Sequence, residues 1–395
     1  MKIYLLFFTI IAMCSTQSLL SREKVLIDKS LSLHQVLISA RNALKSQHDT
    51  RTTVNVFTLL NSDPSLYLAY LGSGDAQGSE VEIGIQLEFM SPAHRDLSHK
   101  YVELNAKMNH LIERNQDLYI SGQVRNLIWS ILISDAELDW LSKQQQWLNE
   151  SKTIVEKLVK SGSSSRLAMN RLSLSLAKTE EQLLKADLAI QSKLMQYQKL
   201  TGLSVLPALS DEQLKEKKLS VQQHPALALI QLDKVIERLN FKATSTSQNT
   251  WNASLFQKNV DLSGQSDTQV GISLEIPLSF SKSYHTADYQ TWKQTNAELE
   301  QQMFQLHSQL GTTLLKLQSE GKFLAKQAKL LKKQRLIISN MEQELANQKA
   351  SGAVSLERYY EQLIELSEFR FEQLINQMHQ SKNIADQNQT LGFSL

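Results

Sequence analysis

Val81-Glu-Ile-Gly-Ile-Gln-Leu-Glu-Phe89 in the first half of the chain returns in the second as Val270-Gly-Ile-Ser-Leu-Glu-Ile-Pro-Leu278, and Gly84 matches Gly271 at a separation of 271 − 84 = 187. The segment after each copy is repeated as well. A Pro-free stretch from Ala93 leads to Ser161-Gly162 and then to Thr201-Gly202; its counterpart leads to Ser351-Gly352 and Leu391-Gly392, at separations of 352 − 162 = 190 and 392 − 202 = 190. A duplication of nearly the whole chain means that whatever one copy forms, the other must form too, and that the two must pack together.

Few glycines (13) and only five prolines in 395 residues leave room for long helices. Pro64, Pro92, Pro207, Pro225 and Pro277 all fall at the ends of periodic segments, where a residue without an amide donor does least harm. The formal net charge is +2, with no patch of Lys and Arg interleaved with aromatics, which argues against a nucleic-acid partner.

The N-terminus carries Lys2, an apolar run from Ile3 to Met13, and small or polar residues Cys14 to Ser18. By charge, length and flank, residues 1–18 read as a secretory signal, too short for a stable membrane helix. Cys14 is the one cysteine, so no internal disulfide can form. Cleavage near Thr16 to Ser18 and lipidation of Cys14 are both open.

Two repeats make up the rest. Repeat 1 (19–206) holds a helix at about Ser30 to Leu60, a β-hairpin at 65–90, and long helices at 93–160 and 163–202. Repeat 2 (207–395) opens with a polar linker, 207–223, expected to sit at mid-height. It continues with a helix from Pro225 to Thr244, a hairpin at 250–280, and long helices at 282–350 and 353–391. The helix from Ala93 to Lys160 is a rod of roughly 100 Å at 1.5 Å per residue. Its apolar residues recur at three and four: Leu104, Met108, Leu111, Ile112, Leu118, Val124, Leu127, Ile128, Ile131, Leu132, Leu138, Leu141, Trp147 and Leu148. The next helix repeats the pattern through Leu167, Leu172, Leu174, Leu183, Leu184, Leu188, Leu194 and Met195 but spans only roughly 54 Å. A second short helix laid end to end with it balances the lengths.

The strands alternate strictly. Ile83, Ile85 and Leu87 share one face of Val81 to Phe89, with Glu82, Gly84, Gln86 and Glu88 on the other. In the second copy, Ile272, Leu274 and Ile276 oppose Gly271, Ser273, Glu275, Pro277 and Ser279. Each has the length of a tilted membrane strand with a lipid side and a water side. Weaker strands precede them at Ser65 to Leu71 and Thr250 to Gln257, across turn-rich loops at Gly72 to Ser79 and Lys258 to Ser266. A small soluble sheet capping a helical domain accounts for the alternation equally well. Four strands cannot close a barrel, which needs at least about eight; three copies supply twelve.

These residues resemble the TolC-type outer-membrane efflux proteins, in particular their heavy-metal cation branch, over about 25–395. Asp63-Pro-Ser-Leu66 is similar to the family's Asn-Pro-Glu-Leu, and Gly271-Ile-Ser-Leu-Glu-Ile-Pro-Leu278 to its Gly-x-Ser-Leu-x-x-Pro-Leu. Gly162-Ser-Ser-Ser165 and Gly352-Ala-Val-Ser355 resemble its periplasmic tip turns. The chain departs from the metal branch at Ser91-Pro-Ala-His-Arg95 and at Arg166-Leu-Ala-Met169. The resemblance implies a mainly α fold with a small β part: long helical hairpins forming an α-barrel, plus four membrane strands per chain in a trimeric 12-stranded β-barrel. It implies a homotrimer in the outer membrane of a Gram-negative bacterium, reaching into the periplasm. Partners would be outer-membrane lipid, a periplasmic adaptor and an inner-membrane pump of the RND type. The chain would be a passive conduit for solutes, heavy-metal cations among them; drug efflux and type I secretion are the alternatives, and a periplasmic coiled-coil scaffold is the competing class.

The candidate residues carry two readings each. Gly162 and Gly352 suit a sharp reversal and Ser165 and Ser355 suit helix caps; with Arg166, Glu357 and Arg358 they form either ordinary hairpin turns or tips that dock an adaptor. Glu82, Glu88 and Glu275 would line the lumen, as plain solvation or as cation preference; Ile83, Ile85, Leu87, Ile272, Leu274 and Ile276 would face lipid. Tyr67, Tyr70, Trp251, Phe256 and Tyr284 fit an aromatic girdle or sheet packing. Trp129, Trp140 and Trp147 read as packing residues. His94, His99 and His110 are spaced five and eleven apart, unlike metal ligands on one helical face, and read as surface residues. No phosphate loop, His-Glu-x-x-His or Gly-x-Ser-x-Gly occurs, so neither an enzyme nor a cofactor is expected.

Overall fold

The computed structural model describes residues 25–45, 60, 62–72, 78–208, 212–215, 220–246, 251–262, 265–276 and 286–395. The signal, Cys14, most of the helix expected beyond Lys45, and Pro277, Ser279 and Tyr284 lie outside these residues. In chain order the elements are β1 (Ile27–Asp28), α1 (Leu33–Lys45), β2 (Ser65–Gly72), β3 (Gly78–Phe89), α2 (Pro92–Lys160) and α3 (Arg166–Thr201). They continue with β4 (Leu206–Pro207), a 3-10 turn (Val221–Gln223), α4 (Pro225–Thr246), β5 (Trp251–Leu262), β6 (Gln265–Glu275), α5 (Thr286–Ala350) and α6 (Leu356–Thr390).

The 69 residues of α2 and 65 of α5 make rods of roughly 100 Å. Shorter helices pair up alongside them. Ser39 Oγ of α1 donates to the Thr201 carbonyl at the end of α3 (2.7 Å), so α1 continues the line of α3 along α2. In the second half Gly392, just past α6, lies against His224 and Pro225 at the start of α4, so α4 continues the line of α6. The lateral order is therefore α1/α3, α2, α4/α6, α5.

Two kinds of contact hold this layer. Leu324, Leu331, Ile338 and Leu345 of α5 are buried and seven apart, the coiled-coil repeat. Among them, Asn376 Nδ2 of α6 reaches the Leu324 carbonyl (3.4 Å) and Asn383 Nδ2 the Leu317 carbonyl (3.0 Å), also seven apart on both helices. Buried amides that pair only in one alignment set the register of the two helices. Around the middle of α2, Val36, Leu37, Ala40, Ile120, Val124, Ile128, Ile131, Tyr197 and Leu206 belong to one buried apolar cluster. Tyr197 donates to the Val205 carbonyl (3.1 Å), and burial pushes its phenol up to about 12. Trp129 is buried, and Trp140 stacks on Phe371 at 4.8 Å between ring centroids, joining α2 to α6.

One expectation for α3 needs correcting. Helical periodicity puts Leu167, Leu174, Leu184, Leu188 and Met195 on a packed face, yet all five are exposed, while Leu176, Ala186 and Ile190 meet the neighbouring helices. Both sets recur with helical spacing, and α3 carries two apolar stripes rather than one.

Four strands form one antiparallel sheet in the order β2-β3-β5-β6, while β1 and β4 pair separately, in parallel. β3 and β5 join the two halves of the chain through twelve paired residues, from Gly78 with Leu262 to Phe89 with Trp251. The loop expected at Lys258 to Ser266 is mostly strand, since β5 runs to Leu262 and β6 begins at Gln265. Asn, Asp and Ser read as turn residues in sequence, but at the polar rim of a sheet they serve as paired strand residues.

Candidate functional site

The sheet has two chemically opposed faces. Directly paired residues point to the same side, so the register places Leu66, Leu68 and Tyr70 with Ile85, Ile83 and Val81, and these with Leu255, Ile272, Val270 and Leu274. All are exposed in the single chain, Ile272 at 80%. Leu87 lies on the same side between them, half-buried, and Ile276 sits one residue beyond the end of β6 with the same parity. Tyr70 stands at one end of this apolar band and Trp251, opposite Phe89, at the other. From Val81 to Phe89 the band is about 26 Å long, near the height of an outer-membrane apolar belt.

The opposite face carries Glu80, Glu82, Glu88, Asp267 and Glu275 with a single Lys258, a formal charge of 1 − 5 = −4 among the described residues. Lys258 Nζ pairs with Glu80 at 2.6 Å, and Asn252 reaches Glu275 at 3.4 Å. Along β3 and β5 this face is the less exposed one, as in a sheet curled toward it. Tyr67 and Phe256 also stand here, so neither belongs with Tyr70 and Trp251 in an outward girdle. Each is paired with a glycine, Tyr67 with Gly84 and Phe256 with Gly271, and the ring leans into the space a side chain there would fill.

At mid-height a buried polar clasp ties four segments together. Arg125 of α2, only 2% exposed, donates two hydrogen bonds to Glu212 (2.9 and 2.8 Å), one to Gln389 (2.7 Å) and one to the Phe393 carbonyl (2.9 Å). Asn388 binds the same Glu212 (3.3 Å) and accepts from the Lys215 amide (3.1 Å). Burial opposes the Glu212 charge, but the Arg125 hydrogen bonds and charge, with Asn388 and Lys215, outweigh it and hold the carboxyl below its usual range. The sequence places the linker at this height but does not announce the clasp. An Arg within the run Val124 to Leu132 is the signal it offers.

At the ends of α2 and α5 farthest from the sheet lie the two reversals. Gly162 (φ 77°) and Gly352 (φ 71°) adopt the left-handed conformation. Ser165 Oγ accepts the Ala168 amide (3.1 Å) and Ser355 Oγ the Arg358 amide (3.3 Å), capping α3 and α6. Arg166 and Arg358 are exposed, with no ion-pair partner among the described residues, while the Glu357 side chain lies outside them. His99 and His110 are exposed on α2, about 16 Å apart along the axis, too far to share one ion. The His94 side chain is not among those described.

No described helix is long and apolar enough to cross a membrane. No family model matches the chain, and no curated protein matches its sequence. Solved structures do. The outer membrane protein VceC of Vibrio cholerae aligns over 92% of this chain and 91% of its own at 12% identity, with a TM-score of 0.59. The CmeC outer membrane channel of Campylobacter jejuni aligns over 92% and 82% at 13% identity, also with 0.59. CusC, described for conformational changes accompanying folding and transmembrane channel formation, aligns over 90% and 87% at 14% identity, with 0.54.

The chain has the fold of the TolC-type outer-membrane channels. The mid-height clasp and the tips then occupy the middle and far end of the outer-membrane channel fold.

Proposed function

We propose that this chain is one subunit of a homotrimeric channel in the outer membrane of a Gram-negative bacterium. It would extend through the periplasm as the passive conduit of a tripartite efflux system. The observation that carries the reading is the pair of flanks left unpartnered among the described residues. One flank has the open edge of β2 and the exposed stripe Leu167, Leu174, Leu184, Leu188 and Met195 on α3. The other has the open edge of β6 and the exposed stripe Phe304, Leu315, Phe323, Leu330, Ile337 and Met341 on α5. Open strand edges and apolar stripes of this length call for partners. The flanks differ, so copies join head to tail, and such contacts form a ring when the rotation closes. Three copies give twelve strands, enough for a closed barrel with a water-filled lumen.

In this arrangement Ile83, Ile85, Leu87, Ile272, Leu274 and Ile276 face lipid, and Glu82, Glu88 and Glu275 face the lumen. The −4 face favours cations as cargo, a class that includes the heavy-metal ions implied by the resemblance. The tips built from Gly162, Ser165, Arg166, Gly352, Ser355, Glu357 and Arg358 dock a periplasmic adaptor, and the inner-membrane pump supplies the energy. The chain itself needs no catalytic step.

Cross-linking in isolated outer membranes tests this, with the mature protein run unheated and heated beside a variant carrying Ile272→Glu and Leu274→Glu. A trimer that requires detergent for extraction, and that the variant does not form, is expected. A salt-extractable monomer or dimer indifferent to both changes would leave the periplasmic scaffold.

A further inference from the structure

Tyr67, Gly84, Phe256 and Gly271 form one continuous cross-strand row over all four strands: Tyr67 pairs with Gly84, Gly84 with Phe256, and Phe256 with Gly271. All four positions lie on the acidic face. A β-carbon at Gly84 would meet Tyr67 Cε1 and Cζ at 2.7 Å, and one at Gly271 would meet Phe256 Cε2 at 2.9 Å and Cε1 at 3.0 Å. Both rings thus lean across the neighbouring strand, in the same rotational sense, and lie along the wall instead of standing into the lumen. The glycines are what let them do so.

Carboxylates flank this row. Tyr67 Oη donates to Glu82 Oε1 at 2.7 Å, one row away, and Glu80 comes next, paired with Lys258. On the other side come Ser65, Gln86, Ser254 and Ser273, then Glu88 and Glu275. Within a −4 surface whose other large apolar residues, Leu71, Val260 and Leu262, lie toward the Gly78 end, the row is a strip of ring faces with Glu82, opposite Lys258, on one side and Glu88 and Glu275 two rows off on the other.

We infer that, in the closed trimer, six rings, Tyr67 and Phe256 from each subunit, form an aromatic collar around the lumen that binds planar organic cations in transit. This rests on the trimeric channel reading and names a cargo class for it. A twelve-stranded barrel tilted about 40° is about 24 Å across its backbone, so rings lying along its wall leave the passage open. A flat cation sliding past meets ring faces whose quadrupole attracts positive charge, with carboxylates beside them. A metal ion such as Mg2+, which sheds its water shell reluctantly, would gain only the carboxylates.

Single-channel conductance in planar bilayers tests the collar, using full-length mature protein with ethidium as the planar cation and Mg2+ as the cation that binds carboxylates but not rings. Ethidium is expected to block at lower concentration than Mg2+. Tyr67→Leu with Phe256→Leu keeps the glycines covered by apolar atoms and removes the rings. It should weaken ethidium block about tenfold and leave Mg2+ block and open conductance nearly unchanged. Glu82→Gln keeps both rings and should weaken block by both cations; it carries the test together with the single Phe256→Leu variant if the double variant does not assemble. Equal block by the two cations, or ethidium block indifferent to loss of the rings, overturns the collar while leaving the channel intact. Wild-type protein that forms no pore overturns the channel reading and the collar with it.

Discussion

The Arg125 guanidinium and the Glu212 carboxylate meet through two hydrogen bonds, 2.9 and 2.8 Å long, 87 residues apart in sequence and enclosed at the middle of a helix some 100 Å long. A buried pair of this kind contributes little net stability over apolar residues of the same shape, but breaking it strands a charge. Arg125→Ala should therefore lower stability by about 3–5 kcal/mol, read as a fall in the thermal midpoint of helical circular dichroism. Arg125→Met combined with Glu212→Leu should recover most of the loss. If Arg125→Ala alone is neutral, the clasp does not hold the middle of the tube.

Acid should weaken the same region in two steps. His224 is buried, its Nδ1 accepts the Ala226 amide (3.2 Å), and burial lowers its pKa. The folded state thus favours the neutral ring, and this contribution is complete above the unfolded value of about 6.5 and lost as pH falls below it. Glu212 is held low, so its contribution is complete above the ordinary carboxylate range and is lost as pH falls through that range and below it. Melting curves between pH 7.5 and 5 should show a decline that His224→Asn, which can still cap the helix, flattens. An unaltered decline in that variant would assign the window to another group.

At the tips, stability and docking separate. Ser165→Ala and Ser355→Ala should each cost about 1 kcal/mol through the lost cap. Arg166→Glu and Arg358→Glu alter side chains without ion-pair partners among the described residues, so melting should not change. Cross-linking to the adaptor in cells should fall sharply. Retained cross-linking would reduce the tips to plain helix reversals.

The ring-over-glycine pairs predict a coupling. Gly271→Ala should reduce heat-resistant trimer on unheated gels, at a cost of about 1–3 kcal/mol for the overpacked contact. Combined with Phe256→Ala it should cost less than the sum of the two single changes, because the smaller side chain vacates the space the new methyl needs. Strict additivity would mean the ring does not lean where the register places it.

Much of the wall and the reversals is legible residue by residue. The alternation that sets Ile83 and Ile272 against Glu82 and Glu275 is a period-two signal, and Ser165 and Ser355 are cap residues behind left-handed glycines. Tyr67 and Phe256 are harder, because an aromatic residue reads as apolar whichever face it occupies. A signal is present: both halves place an aromatic and then a glycine at nearly equal separations, 256 − 67 = 189 and 271 − 84 = 187.

The long helices with their tip reversals, and the strand faces, were determined by the sequence alone, since each follows from a local period of two or of 3.6 and from residues that cap or break it. Tertiary structure alone decided which of α3's two apolar stripes is covered. It also decided that Arg125 closes a clasp with residues 87 and 264 positions away, and that aromatic and glycine alternate along one row. These depend on register between distant segments, and register is chosen by the sum of packing and buried hydrogen bonds across the whole layer, which no window of sequence contains.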